Sequence, residues 1–127
     1  MDTSRRLLVI DDELGIRDYI RTVAEARGYD VVLVEKQAAF EQACRTFKPT
    51  VIFIDVVMPD VDGIMLVRNL AAEGVRARVV VMSGFGERYI RNTVQIGSAL
   101  GIEDIRGMAK PFNYRELCDA LDGDGTG

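Results

Sequence analysis

The chain has 127 residues, a mass of 14.1 kDa and a formal net charge of −4 at pH 7. One compact domain is expected, since domains usually have about 100–150 residues, and this length excludes a second catalytic or DNA-binding domain. The 48% hydrophobic and 28% charged fractions are typical of a globular protein. The sequence lacks the net positive charge with which proteins bind the phosphate backbone of nucleic acids. It also lacks an apolar run of the roughly 18 residues that a membrane span needs. We therefore expect a cytoplasmic protein with no direct nucleic-acid or membrane partner.

The side-chain types narrow the chemistry further. The sequence contains no histidine, which excludes Ser-His-Asp triads and histidine general bases and argues against zinc sites. Cys44 and Cys118 lack CxxC spacing and lie on the apolar stripes of predicted helices. Both are predicted to be buried free thiols.

Four short apolar runs, rich in β-branched residues, predict strands that are buried on both faces. They are Leu7 to Ile10, Val31 to Val34, Val51 to Ile54 and Val79 to Met82. Between these runs the apolar spacing becomes helical, which predicts a helix after each of the first three strands. Gly28 and Gly74 stand just past the first and third helices, where glycine often ends a helix.

The last third of the chain predicts two more helices and one short strand. Residues 87–100 predict the fourth helix, and residues 105–108 predict an edge strand, because Arg106 and Gly107 interrupt the apolar run. Asn113 followed by Glu116 resembles a capping box at the start of the last helix. We assign residues 1–121 to the domain and interpret residues 122–127 as a flexible tail or linker stub.

This alternation of strands and helices predicts a doubly wound five-stranded parallel sheet, a (βα)5 fold of strand order 2-1-3-4-5. Ligands bind such sheets outside the carboxyl ends of the strands, where strands one and three are adjacent. Polar residues stand at these ends: Asp11 and Asp12 after strand one, Asp55 after strand three, Ser83 after strand four and Lys110 after strand five.

The three aspartates are therefore expected to converge. Two carboxylates about 4 Å apart repel by roughly 4 kcal/mol at an effective dielectric near 20, so a cation is needed among them. Mg²⁺ fits, because it binds carboxylates, waters and phosphate. Lys110 adds a second positive charge and Ser83 a hydroxyl donor. This combination suits phosphoryl transfer onto an aspartate.

Each of these residues also has a local interpretation. Asp11 and Asp12 could cap the first helix, Ser83 could shape a turn and Lys110 could be a solvated surface lysine. The combination at the strand ends, rather than any single residue, favours a phosphoryl-transfer site.

Four motifs in this order resemble the receiver domain of two-component response regulators over residues 4–121. They are residues 9–13 (VIDDE), 51–59 (VIFIDVVMP) with Asp62-Gly63, 82–84 (MSG) and 110–112 (KPF). The resemblance implies that Asp55 accepts the phosphoryl group and that Asp12, Asp55 and the Val57 carbonyl bind Mg²⁺ directly. It further implies that Asp11 binds Mg²⁺ through water, that Lys110 pairs with Asp55 and then with the phosphoryl group, and that Ser83 moves to hydrogen-bond it.

The resemblance implies a signalling domain rather than an enzyme. Its donor would be a sensor histidine kinase or a histidine phosphotransfer protein. The downstream effector and any phosphorylation-linked dimer stay open. Two alternatives are a pseudo-receiver that acts by protein contact without phosphorylation and a Mg²⁺-dependent hydrolase with an Asp55 nucleophile.

The sequence departs from the receiver pattern in its last third. Gly107 stands three residues before Lys110, where receivers commonly carry tyrosine or phenylalanine, and the segment from Ser83 to Lys110 is longer than usual. The chain is in this respect similar to receiver variants with glycine at the switch position. Val57 and Phe85 occupy positions that influence phosphoryl loss in the family. Both are apolar, which predicts a long-lived phosphoryl group.

Overall fold

The computed structural model describes residues 4–123. Seven strands occur in this range: β1 (Arg6–Ile10), β2 (Asp30–Val34), β3 (Val51–Asp55), β4 (Val57–Met58), β5 (Val61–Asp62), β6 (Arg78–Ser83) and β7 (Ile105–Ala109). Five of them form a parallel sheet in the order β2-β1-β3-β6-β7. Because β6 and β7 are the predicted fourth and fifth strands, the predicted 2-1-3-4-5 order is confirmed. The antiparallel pair of β4 and β5 was not predicted.

Five helices connect the strands in the described part of the chain: α1 (Leu14–Ala26), α2 (Gln37–Thr46), α3 (Gly63–Ala72), α4 (Glu87–Ala99) and α5 (Tyr114–Asp122). Apolar side chains of α2, α3 and α4 pack on one face of the sheet, and those of α1 and α5 pack on the other. The predicted doubly wound arrangement is therefore confirmed.

The central strands are apolar along their whole length because helices cover both of their faces. All four residues from Leu7 to Ile10 have no exposed surface, and β7 lies at an edge as its interrupted pattern predicts. The strand register aligns the carboxyl ends: Ile10 pairs with Ile54, Asp55 with Met82 and Ser83 with Ala109. Polar residues that end different strands are thereby brought to one edge of the sheet.

The two cysteines are free, but both are half-buried rather than buried as predicted. Each packs against one of the two core clusters, and the neighbouring residues cover only part of its side chain. Burial nevertheless raises the pKa of the Cys44 thiol to about 11, and nearby Glu73 adds to the increase. The thiol is therefore protonated at neutral pH.

Helix α5 is fixed at both of its ends. At the start, the Asn113 side chain accepts a hydrogen bond from the Glu116 amide at 2.8 Å and Glu116 accepts one from the Asn113 amide at 2.9 Å, so the predicted capping box is confirmed. At the end, Asp122 accepts hydrogen bonds from Arg27 and Tyr29.

Asp122 is the last residue of α5, so this helix extends one residue past the predicted boundary after Leu121. Residues 124–127 of the predicted tail lie outside the described residues. Among residues 4–123, none of the helices has the length and apolar character needed to cross a bilayer.

Candidate functional site

The carboxyl edge of the sheet brings three aspartates together. Asp11 and Asp12 follow β1, and Asp55 is the last residue of the adjacent β3. One carboxylate oxygen from each of the three lies within 4.8 Å of those of the other two. Asp11 and Asp55 are buried, whereas Asp12 is exposed. The pocket is thus acidic and open to solvent on the side of Asp12.

Lys110 places its ammonium group directly against this acidic pocket. Its Nζ lies 2.8 Å from Oδ2 of Asp11, 3.0 Å from Oδ2 of Asp55 and 2.9 Å from Oε1 of Glu13. The Lys110 side chain is only 8% exposed. Burial alone would lower the pKa of Lys110, but its close contacts with the three carboxylates raise the pKa above its ordinary value. The pocket therefore contains a permanent positive charge at neutral pH.

The Asp55 carboxylate is held at both of its oxygens. The backbone N–H of Val57 donates to Oδ1 at 2.9 Å, and Lys110 donates to Oδ2 at 3.0 Å. Val57 begins the β4–β5 hairpin, which leads into α3. The Asp62 side chain accepts a hydrogen bond from the Met65 amide at 3.1 Å and so caps α3. The hairpin thus keeps the Val57 amide in position beneath Asp55.

Asp11 is held through the start of α1. Its Oδ1 accepts a hydrogen bond from the Glu13 amide at 2.8 Å. Burial raises the pKa of Asp11, although the nearby Lys110 ammonium and the hydrogen bond from the Glu13 amide oppose the increase. Glu13 is the N-cap of α1, and its side chain makes no capping hydrogen bond. The side chains of Asp11 and Asp12 are thus not used as the N-cap of this helix.

Ser83 ends β6, the strand next to β3, and is completely buried. Its hydroxyl oxygen accepts a hydrogen bond from the Phe85 amide at 3.0 Å, and its carbonyl accepts one from the Lys110 amide at 2.9 Å. Phe85 itself is 79% exposed. The Ser83 hydroxyl is therefore used in the turn after β6, as its local interpretation predicts, while its carbonyl fixes the backbone of Lys110.

Sequence reasoning missed the contact between Glu13 and Lys110. The available signal was the glutamate at the helix start, because serine, threonine, aspartate and asparagine are preferred as N-caps. Glu13 is 97 residues from Lys110 in the chain, so only the folded arrangement reveals their ion pair.

The donor set of the pocket fits a hard cation. Asp11, Asp12, Asp55 and Glu13 bring four negative charges, and Lys110 brings one positive charge. Carboxylate oxygens are the ligands that divalent cations such as Mg²⁺ prefer. The clustered oxygens of Asp11, Asp12 and Asp55 could therefore bind a metal ion, which would offset the excess negative charge.

Replacing Asp11 by asparagine is expected to raise the stability of the metal-free protein at neutral pH. Because burial raises the pKa of Asp11, the folded protein binds a proton at this carboxyl group more tightly than the unfolded chain does. The free energy of unfolding therefore falls as pH rises from 3.8 through the pKa of the folded state. We expect a gain of about 1 kcal/mol, the lower end of the cost of burying an incompletely satisfied polar group.

Denaturant unfolding in EDTA at pH 4 and pH 7 measures this gain. It should be larger at pH 7 than at pH 4, because the cost of burying the charged form of Asp11 grows as pH rises above the ordinary pKa. A loss of stability at pH 7 would show that the Lys110 ion pair outweighs the cost of burying Asp11.

An open doubly wound sheet of this strand order defines the flavodoxin-like class of α/β domains. Within this class, the sequence profile of the response regulator receiver domain matches residues 7–122. The chain belongs to this family, whose members are signalling domains of two-component systems rather than classical enzymes.

Individual relatives agree with this assignment. The chain is 29% identical over 114 residues to the alkaline phosphatase synthesis transcriptional regulatory protein PhoP of Bacillus subtilis, covering 90% of this chain but 45% of PhoP. It thus spans less than half the length of that relative. It is 25% identical over 118 residues to sporulation initiation phosphotransferase F of the same organism, covering 93% and 91% of the two chains.

Solved structures show the same fold. The receiver domain of a response regulator from Bermanella marisrubri superposes with a TM-score of 0.79 at 24% identity, covering 95% of this chain and 98% of that chain. The chemotaxis response regulator CheY4 of Vibrio cholerae superposes with a TM-score of 0.78 at 22% identity, covering the same shares of the two chains.

Proposed function

We propose that this domain is a phosphorylation switch that accepts a phosphoryl group on Asp55 with the help of Mg²⁺. The observation that carries the proposal is the position of the Asp55 carboxylate, fixed by the Val57 amide and Lys110 beside Asp11 and Asp12. A fixed carboxylate beside a cation and a metal-binding cluster has the groups that phosphoryl transfer needs.

The reaction forms an acyl phosphate. An oxygen of Asp55 attacks the phosphorus of a phosphohistidine, the phosphorus–nitrogen bond breaks and the histidine leaves with the electron pair of that bond. Asp12, Asp55 and the Val57 carbonyl would hold Mg²⁺ directly and Asp11 through water. When bound, Mg²⁺ neutralises charge on the phosphoryl oxygens. Lys110 then donates to a phosphoryl oxygen, and Ser83 exchanges its contact with the Phe85 amide for one to the phosphoryl group.

The phosphoryl donor would be a sensor histidine kinase or a histidine phosphotransfer protein, because this chain has no histidine of its own. Exposed apolar side chains flank the pocket and favour a protein donor: Leu14 on α1 is 64% exposed and Phe85 is 79% exposed. We place the domain in the cytoplasm, with residues 1–122 as the receiver, since Asp122 ends α5, and the residues after it as a tail or linker.

Incubation with acetyl phosphate and Mg²⁺, followed by intact-mass measurement, tests the proposal. Acetyl phosphate replaces the protein donor, so no kinase is needed. We expect the mass of one phosphoryl group to be added, and EDTA to prevent the addition. No addition with Mg²⁺ present would support the pseudo-receiver alternative, and continuous release of free phosphate over many turnovers would support the hydrolase alternative. Either result would contradict the proposal that this domain is a phosphorylation switch.

A further inference from the structure

We propose that Glu13 is a positioning residue that keeps the Lys110 ammonium in the pocket when a cation and a phosphoryl group occupy the aspartates. The inference rests on the proposed function of Asp55. It starts from an unusual use of a side chain: Glu13 occupies the N-cap of α1 but leaves the helix amides uncapped and instead accepts a hydrogen bond from Lys110 at 2.9 Å.

The Lys110 ammonium has three hydrogens, and three carboxylates surround it. Asp11 and Asp55 contact it from inside the protein, and Glu13 contacts it from the solvent side, where the Glu13 side chain is 58% exposed. Each of the three distances lies between 2.8 and 3.0 Å. Lys110 donates hydrogen bonds to Asp55 and Glu13, whereas its contact with Oδ2 of Asp11 is an ion pair without a hydrogen bond.

A cation in the aspartate cluster would weaken the attraction of Asp11 and Asp55 for the Lys110 ammonium. The oxygens of Asp11 and Asp55 would be drawn to the cation, and the cation would repel the ammonium because both are positive. Glu13 is not a member of the cluster of oxygens that could hold a metal ion, so it would keep its full charge for Lys110. The interaction with Glu13 would then hold Lys110 near Asp55 with two hydrogens available for a phosphoryl oxygen.

Replacing Glu13 by glutamine or by aspartate distinguishes the effect of its charge from the effect of its hydrogen bond to Lys110. Glutamine keeps the length but loses the charge, whereas aspartate keeps the charge but is one methylene too short for the observed contact. Glu25→Gln is the matched control, because Glu25 is an exposed glutamate on the same helix. Each variant is purified as the full chain, and its Mg²⁺ affinity is measured from amide chemical shifts.

The first readout is the ¹⁵N–¹H NMR signal of the Lys110 ammonium, which is assigned with Lys110→Arg. In the parent protein and in Glu25→Gln the signal should persist when Mg²⁺ is added. In both Glu13 variants, Mg²⁺ should broaden it through faster exchange with water. A signal that persists in both Glu13 variants would overturn the inference. This readout does not require phosphorylation.

The second readout is the rate of labelling by acetyl phosphate at saturating Mg²⁺. Both Glu13 variants should lower the maximal rate by about tenfold, the effect of one hydrogen bond between charged groups, with little change in the half-saturating acetyl phosphate concentration. Equal labelling rates in the parent and in both Glu13 variants would overturn the proposed role of Glu13 but not the proposed function of Asp55. A parent protein that takes up no label would instead overturn the proposed function.

Discussion

An alanine at position 107 is expected to lower the free energy of unfolding by about 1–3 kcal/mol, the usual cost of overpacking a core. The added Cβ would lie 2.0 Å from Cγ2 of Ile90, far closer than two carbon atoms can approach. Ile90 lies on α4 and is 7% exposed, so it has little room to move. Urea unfolding of Gly107→Ala and of the parent protein measures the loss.

A double-mutant cycle shows whether the clash between the added Cβ and Ile90 causes the loss of stability. Ile90→Ala removes the opposing methyl groups, so adding Gly107→Ala to that variant should cost much less than it does in the parent protein. Gly15→Ala on α1 is the control, because no atom lies within 4 Å of its added Cβ; it should increase stability by up to about 1 kcal/mol. Equal costs of Gly107→Ala with and without Ile90 would contradict the explanation.

The same contact explains why an aromatic residue is not accommodated at position 107. Ile90 covers β7 at this point, so α4 packs directly on the backbone of the strand. A groove of about 420 Å³ lies beside this contact, between α4 and α5, and includes Gly107, Glu87 and Glu116 in its lining. Gly107, which departs from the receiver pattern, therefore packs against Ile90 on α4.

The double variant Val57→Asn, Phe85→Glu is expected to shorten the lifetime of the phosphoryl group by about tenfold, the effect of one hydrogen bond that orients an attacking water. Val57 is half-buried next to Asp55, and Phe85 follows Ser83 with 79% of its surface exposed. Neither apolar side chain can hydrogen-bond a water molecule. The parent protein should therefore lose its phosphoryl group more slowly than the double variant.

Intact-mass measurement after removal of acetyl phosphate gives both lifetimes. Phe85→Leu is the control, since it changes the side chain but keeps the position apolar, and its lifetime should equal that of the parent protein. An unchanged or longer lifetime in the double variant would contradict the prediction.

The strands and helices could be predicted because helices cover both faces of the central strands. The apolar run of β1 and the helical spacing of α1 are direct consequences of that burial. The strict alternation of these elements predicted an open parallel sheet, and 2-1-3-4-5 is a common five-strand order of such sheets. It predicted that Asp11 and Asp55 would lie at one edge of the sheet, where the structure places them.

Other features could not be predicted from local patterns. The strands of the β4–β5 hairpin have two residues each, too few to show a period. The contact of Glu13 with Lys110, like that of Gly107 with Ile90, depends on how distant elements pack together. The half-burial of Cys44 depends on how much of its helix the neighbouring elements cover, which the helical spacing alone does not determine.

Locating the phosphoryl group in the chain tests the central claim most directly. Protein treated with acetyl phosphate and Mg²⁺ is reduced with borohydride, which converts a phosphorylated aspartate to homoserine, and its peptides are sequenced by mass spectrometry. The account predicts homoserine at position 55 and no conversion in Asp55→Asn. Homoserine at another aspartate of the parent protein, or unchanged uptake of phosphoryl groups by Asp55→Asn, would contradict it.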